Sequence, residues 1–227
     1  MTKRLYYVDR NLEGEARIAE IRGDGPSQVV LDATLFHPQG GGQQADGGIL
    51  GDYPVRDVRK DENGDIVHVI DSVGKLQMGD IVAFAVDRSA RQRNARLHTA
   101  GHLIAGVCER MYPGVRAVGG HHWSGEARVD FDAGTEPVTV DANAVMAALD
   151  EAVARALPVI QSSGEPAPRN VTIEGFSPVS CGGTHVRHLG ELGHVEIRKI
   201  RAKGDRIRVS YDVIHVRGEE PEGNILH

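Results

Sequence analysis

Short runs of apolar and β-branched residues, each closed by a turn signal, fill the first ninety positions. Residues 5–8, 15–21, 28–32, 55–59, 66–70 and 81–86 read as strands. The Gly, Pro, Asn and Asp clusters at 22–26, 61–64 and 78–80 read as the turns between them. Many short strands at this spacing predict a small barrel. The period changes near Asp87. A helix is predicted over 89–112, stopped by Pro113-Gly114. The run 126–132 alternates, placing Ala127, Val129 and Phe131 on one face of a strand. A second helix is predicted over 141–157, with Val145, Leu149, Val153 and Leu157 every fourth residue and Asp141 as its N-cap. Further strands are expected at 158–162, 171–174, 194–200 and 206–213, and a frayed tail over 217–227. The fold class is α+β. The expected division is a β-barrel over 1–88, carrying a glycine-rich segment, and a two-layer α+β unit over 89–227.

At 227 residues the chain is long enough to bury a substantial core. No apolar run approaches the roughly 18 residues that a membrane helix needs. Residues 1–5 lack the apolar centre of a secretion signal. There are two cysteines, Cys108 in the predicted first helix and Cys181 in a ligand-like setting. These features predict a reducing, cytoplasmic protein. The net charge of -6 does not advertise nucleic-acid binding, but its distribution is uneven. Arg88, Arg91, Arg93 and Arg96 cluster before the first helix motif. Arg187, Arg198, Lys199, Arg201, Lys203, Arg206 and Arg208 form a second basic stretch. Such patches either grip phosphates or simply keep a face solvated.

The chemistry concentrates in two motifs about eighty residues apart, His98-Thr99-Ala100-Gly101-His102 and Cys181-Gly182-Gly183-Thr184-His185. Helical residues four apart share a face, so His98 and His102 can address one ion. Gly182-Gly183 suggests a tight turn that lets Cys181 and His185 converge. Three imidazoles and a thiolate are a ligand set that zinc favours. Cys108 falls on another face of the helix and reads as a small buried apolar group. Four protein ligands suit a structural zinc; a catalytic zinc keeps a position open. A nucleophilic Cys181 with His185 as base is the rival arrangement, and it leaves the helical His pair without a role.

These motifs, taken with Phe36-His37-Pro38-Gln39-Gly40-Gly41-Gly42-Gln43-Gln44-Ala45-Asp46-Gly47-Gly48, Gly119-Gly120-His121-His122 and Gly125-Glu126-Ala127-Arg128-Val129-Asp130-Phe131, resemble the editing domain of alanyl-tRNA synthetase and its free-standing relatives, the alanyl-tRNA editing (AlaX) proteins. The match runs along nearly the whole chain. The resemblance implies an N-terminal barrel followed by an editing domain also related to part of threonyl-tRNA synthetase, in the medium-length AlaX form. It implies trans-editing, the hydrolysis of tRNA(Ala) wrongly charged with serine or glycine. By motif match His98, His102, Cys181 and His185 would bind zinc, and His98, His102 and Thr99 would serve the reaction. The sequence departs from the pattern at Gln44, where Pro is usual, at His37, where Tyr is common, and at Gly101, where relatives often carry a larger residue. A missing side chain at Gly101 would reshape the pocket.

Other residues admit two roles each. Gly40, Gly41, Gly42 and Gln43 would line the mouth of the site and meet the tRNA end, or form a simple turn; no P-loop Lys-Ser/Thr follows. Arg96, Arg198, Lys199, Arg201 and Lys203 would hold the tRNA. Thr99 would bond a substrate hydroxyl or its own helical turn. His121 and His122 would sit beside the metal or on a surface turn. Trp123 would stack on the terminal adenine or pack in the core. Outside editing, a non-catalytic zinc module that binds RNA or the synthetase fits the ligand set, as does a generic zinc esterase.

Overall fold

A computed structural model describes residues 1–23, 27–134, 138–162 and 169–214. The expected turn at Asp24-Gly25-Pro26 and the expected tail over 217–227 lie outside them.

Six antiparallel strands close into a barrel in the order β2-β3-β7-β6-β5-β8. These are β2 (Glu13–Arg22), β3 (Ser27–Leu31), β5 (Gly48–Leu50), β6 (Tyr53–Lys60), β7 (Ile66–Ile70) and β8 (Ile81–Val86). The barrel closes around Ile18, Val29, Leu31, Phe36, Leu50, Val58, Ile66, Ile70 and Phe84. In β6 the pairing slips between Val55 and Asp57. That bulge lets Val55 and Val58, three apart, both face inward. A small parallel pair, β1 (Lys3–Arg4) with β4 (Ala33–Thr34), caps one side.

Residues 5–8 are not the strand that their composition suggests. Leu5–Tyr7 form a 3₁₀ turn. The turn places the two tyrosines against different partners. Tyr6 is buried edge-on to His37, and Tyr7 lies under the Arg169 guanidinium at 4.8 Å. Both partners lie far off in sequence, so tertiary packing overrides the local preference.

Asp87 alone separates β8 from α1 (Arg88–Met111) and caps it, its carboxylate accepting from the Ala90 N–H at 3.0 Å. α1 buries Leu97, Ala100, Leu103, Ile104, Val107 and Cys108. With α2 (Ala142–Ala154), capped by Asp141, it packs on an antiparallel sheet of order β14-β15-β10-β9. Its strands are β9 (Arg116–His121), β10 (Arg128–Asp132), β14 (His194–Lys203) and β15 (Arg206–Ile214). Ala127, Val129 and Phe131 meet the helices as the alternation predicts. A second sheet, β11 (Val159–Gln161), β12 (Asn170–Ile173) and β13 (Val179–Ser180), ends one residue before Cys181. The class is α+β with a small N-terminal barrel. No helix among the described residues is long and apolar enough to cross a membrane.

A buried ion pair ties α1 to the glycine-rich segment. Arg91 Nε donates to both oxygens of Asp46 at 3.1 Å, and Nη2 donates to Leu35 O at 2.6 Å. Asp46 also accepts from the His37 N–H at 2.6 Å. Arg91 is therefore spent inside the fold and does not belong to a solvated basic face.

His68 is fully buried in the barrel wall. Its Nδ1–H donates to Val29 O at 3.0 Å and its Nε2 accepts from the Thr34 hydroxyl at 2.9 Å. Burial pushes its pKa down to about 4, so it folds neutral. The unfolded chain takes up this proton near pH 6.5, before the folded one does. Stability at this residue is thus complete above about pH 6.5 and falls toward pH 4, by about 3 kcal/mol. Urea unfolding at pH 7 and pH 4.5 should show a smaller acid-induced drop for His68→Gln than for the unmodified chain.

Candidate metal centre

The first motif sits in the middle of α1 and the second in the loop after β13. His98 and His102, one helical turn apart, bring their ring centres to 5.1 Å. Cys181 Sγ lies 3.4 Å from His98 Nε2 and 3.3 Å from His185 Nε2. The ligand atoms of His98, His102, Cys181 and His185 all fall within 4.8 Å of one another. The two halves of the sequence signal therefore meet as one group that can hold a metal ion.

Hydrogen bonds fix which nitrogens are offered. His98 Nδ1 meets Gln43 Oε1 at 2.8 Å. A carbonyl oxygen only accepts, so Nδ1 carries the proton and Nε2 presents its lone pair to the cluster. His185 Nδ1 meets Thr99 Oγ1 at 3.1 Å. Thr99 already donates its single proton to Ala95 O at 2.8 Å, so His185 Nδ1–H is the donor and its Nε2 is again bare. This is the outer shell that orients ligand imidazoles in metal sites. Burial holds all three rings neutral: His98 and His185 lie well below the ordinary histidine pKa and His102 is lowered to about 4. The Cys181 thiol is pushed up by burial, opposed by the Gly183 N–H at 3.4 Å and the charge of Arg169. Neutral imidazoles, bare Nε2 atoms and a thiol awaiting a compensating cation suit zinc.

The loop that carries Cys181 is held from behind. Arg169 donates to Cys181 O at 2.6 Å and Gly183 O at 3.0 Å. Gln43 Oε1 accepts from the Thr184 N–H at 2.9 Å, and Gln43 Nε2 donates to the Thr184 hydroxyl at 2.9 Å. A side chain at Gly183 would place its Cβ 2.1 Å from the His98 ring, so the motif needs glycine there. Neither Arg169 nor the clamping use of Gln43 carries a local signal. Both depend on partners brought close only by folding.

Two cavities flank the cluster. One, of about 610 Å³, is lined by His98, His102, Cys181, Gly41, Gly42 and His122, among others. The other, of about 420 Å³, reaches His185, which the first does not, and is lined by Arg10, Arg88, Arg96 and Arg187, among others. Gly41 and Gly42 thus stand at the larger cavity, in a turn closed by Gly40 pairing with Gln43. Gln43 is fully buried with its amide engaged, which makes it a clamp on two ligand motifs and removes it from contact with a substrate. Thr99 is likewise sealed behind His185, bonding its own turn. Arg198, Lys199, Arg201 and Lys203 lie on β14, at the sheet edge opposite β9, and line neither cavity. Arg198 is paired with Asp212. His122 is buried against the cluster, stacked on His98 at 4.5 Å, while the His121 ring lies tilted against the half-buried Trp123 at 4.8 Å. Trp123 therefore packs outside the hydrophobic core. Cys108 lies inside it, its pKa raised to about 12 by burial.

Residues 4–90 match the class II (A) tRNA synthetase family, and residues 169–208 match the threonyl and alanyl tRNA synthetase second additional domain. The alanyl-tRNA editing protein AlaX-M of Saccharolobus solfataricus is 32% identical over 94% of this chain and 99% of its own length. AlaX-M of Pyrococcus horikoshii is 33% identical over 86% of this chain and 90% of its own. The alanine–tRNA ligase of Ignicoccus hospitalis is 31% identical over 91% of this chain, which spans only 25% of that enzyme. The chain belongs to the AlaX-M family of alanyl-tRNA editing proteins.

Removing either support should loosen the centre. Gln43→Ala should weaken metal affinity by about 10- to 100-fold, read by competition with a chromophoric chelator. Gly183→Ala should abolish stoichiometric metal binding while leaving the barrel's cooperative unfolding in place.

Proposed function

We propose that this protein is a trans-editing deacylase, a zinc-dependent hydrolase that cleaves the ester joining serine, or glycine, to tRNA(Ala). One observation supports this most: four ligands of zinc type converge within 4.8 Å of one another, three of them (His98, His102 and Cys181) at the wall of a 610 Å³ cavity, in a chain of the AlaX-M family. A cavity of this size suits an aminoacyl-adenosine end. His98, His102, Cys181 and His185 would hold the zinc. When bound, it supplies Lewis-acid polarisation of the ester carbonyl and lowers the pKa of a reacting water.

The protein's own residues supply geometry. Gln43 and Thr99 keep His98 and His185 in the tautomer that points Nε2 inward. Arg169 holds the Cys181 loop against the helix. Gly41 and Gly42 leave the rim of the cavity without side chains, so the substrate's backbone can approach closely. A raised thiol pKa argues against Cys181 as a free nucleophile, since the thiolate is the attacking form. Arg10, Arg88, Arg96 and Arg187 around the second cavity are better placed for the tRNA backbone than the distant β14 cluster.

The decisive assay is loss of ester from Ser-tRNA(Ala) against correctly charged Ala-tRNA(Ala). His102→Ala and Cys181→Ala should each lose metal and at least about 100-fold in deacylation, and chelation should do the same reversibly. Tight tRNA binding without faster ester loss would leave a zinc-stapled RNA-binding module instead. Hydrolysis of small esters with no tRNA dependence would leave a generic esterase. Arg10→Ala and Arg187→Ala should raise KM with little change in kcat, and each should flatten the salt dependence of KM by about one counterion.

A further inference from the structure

His122 sits in a slot cut by glycines from three separate segments. A Cβ added at Gly101 in α1 would lie 2.4 Å from its ring, one at Gly120 in β9 would lie 2.6 Å away, and one at Gly42 of the glycine-rich turn 3.1 Å away. The ring fills the space left by the bare Gly101, the position where the motif departs from its relatives. It stacks on His98 with ring planes 21° apart. The His122 N–H donates to Gly42 O at 2.8 Å, which seats the ring at the wall of the larger cavity.

Its tautomer is set by a relay. Tyr211, fully buried, has one hydroxyl proton and two neighbours. It donates to Leu97 O at 2.8 Å, because a carbonyl cannot donate to it. His122 Nδ1, 2.7 Å from the same oxygen, must then be the N–H donor. Nε2 is left as a bare acceptor. No described residue bonds it, and His122 lines the cavity that also holds His98, His102 and Cys181.

Building on the deacylase reading, we propose that His122 Nε2 is a specificity-determining hydrogen-bond acceptor for a donor group of the aminoacyl moiety. Two donors share that chemistry, the serine side-chain hydroxyl and the α-ammonium. A buried acceptor left without its donor discriminates strongly between otherwise similar substrates. The contact also explains the empty position at Gly101: a side chain there would expel the imidazole from its slot.

The test uses the zinc-loaded protein, Ser-tRNA(Ala), Gly-tRNA(Ala) and a non-hydrolysable 3′-seryl-amino-adenosine. His122→Phe keeps a flat ring in the slot without the acceptor. It should lose about 10- to 100-fold in kcat/KM and weaken analogue binding to match, with full zinc content. His122→Gln, whose amide oxygen reaches the Nε2 position, should recover part of both. Loss confined to serine identifies the hydroxyl as the donor; equal loss for serine and glycine identifies the ammonium. Unchanged hydrolysis and analogue binding in zinc-replete His122→Phe overturn the proposal and leave the deacylase intact. Absence of both hydrolysis and analogue binding in the unmodified protein removes the deacylase reading itself. Nitrogen NMR of the unmodified protein decides the matter without any variant. Nδ1 should be protonated and Nε2 bare, with Nε2 shifting on addition of the analogue. A protonated Nε2, or one unmoved by the analogue, overturns the proposal.

Discussion

The amide of Gln43 is the point on which the candidate site turns. Its oxygen accepts from His98 of the helix and from the Thr184 backbone of the cysteine loop, and its nitrogen donates to the Thr184 hydroxyl. One side chain from the barrel's glycine-rich turn thereby fixes both ligand motifs relative to each other. The turn must itself be fixed for this to work. The Arg91–Asp46 pair and the one-residue Asp87 connector lock it to the helix. A buried ion pair is a poor source of stability but a strong penalty on any arrangement that breaks it. Here that penalty falls on movement between barrel and helix.

The centre also depends on atoms that are missing. Gly183 lets the loop lie on the His98 ring, and Gly42, Gly101 and Gly120 open the slot for His122. Each glycine permits a close approach that any side chain would block. The result is a cluster of imidazoles, with His122 stacked on His98 and the His102 and His185 rings tilted against it at 5.1 and 4.6 Å. Burial and mutual repulsion keep the rings neutral. Acceptor-only partners then put the proton on Nδ1 of His98, reached through Gln43, and on Nδ1 of His122 and His185, where a hydroxyl has already spent its own proton on a carbonyl. The same physics serves twice, since a neutral ring with a bare Nε2 is both a metal ligand and a hydrogen-bond acceptor.

The order of strands and helices followed from local rules. Short apolar and β-branched runs bounded by turn signals gave the barrel strands β2, β3, β6, β7 and β8 but not the three-residue β5, and the four-residue step in 141–157 gave α2 with its Asp141 cap. The HxxxH and CGGTH spacings announced the candidate ligands because a helical turn and a tight loop are short-range geometry. Residues 5–8 broke the rule because Tyr6 and Tyr7 answer to His37 and Arg169, partners the local pattern does not contain.

By itself the sequence determined the α+β class, the barrel, the four candidate ligands and the burial of Cys108, all consequences of periodicity and spacing within a few turns of chain. Tertiary structure decided what those residues can do. It turned Gln43 from a surface contact into a clamp, sealed Thr99 behind His185 and sent the β14 basic residues to the far edge of the sheet. It also brought Arg169, Tyr211 and His122 to the site, each through a contact that exists only once distant segments meet. The reason is one of range. A hydrogen bond's donor and acceptor are fixed by what lies within about 3 Å, and no local pattern states which distant group will occupy that distance.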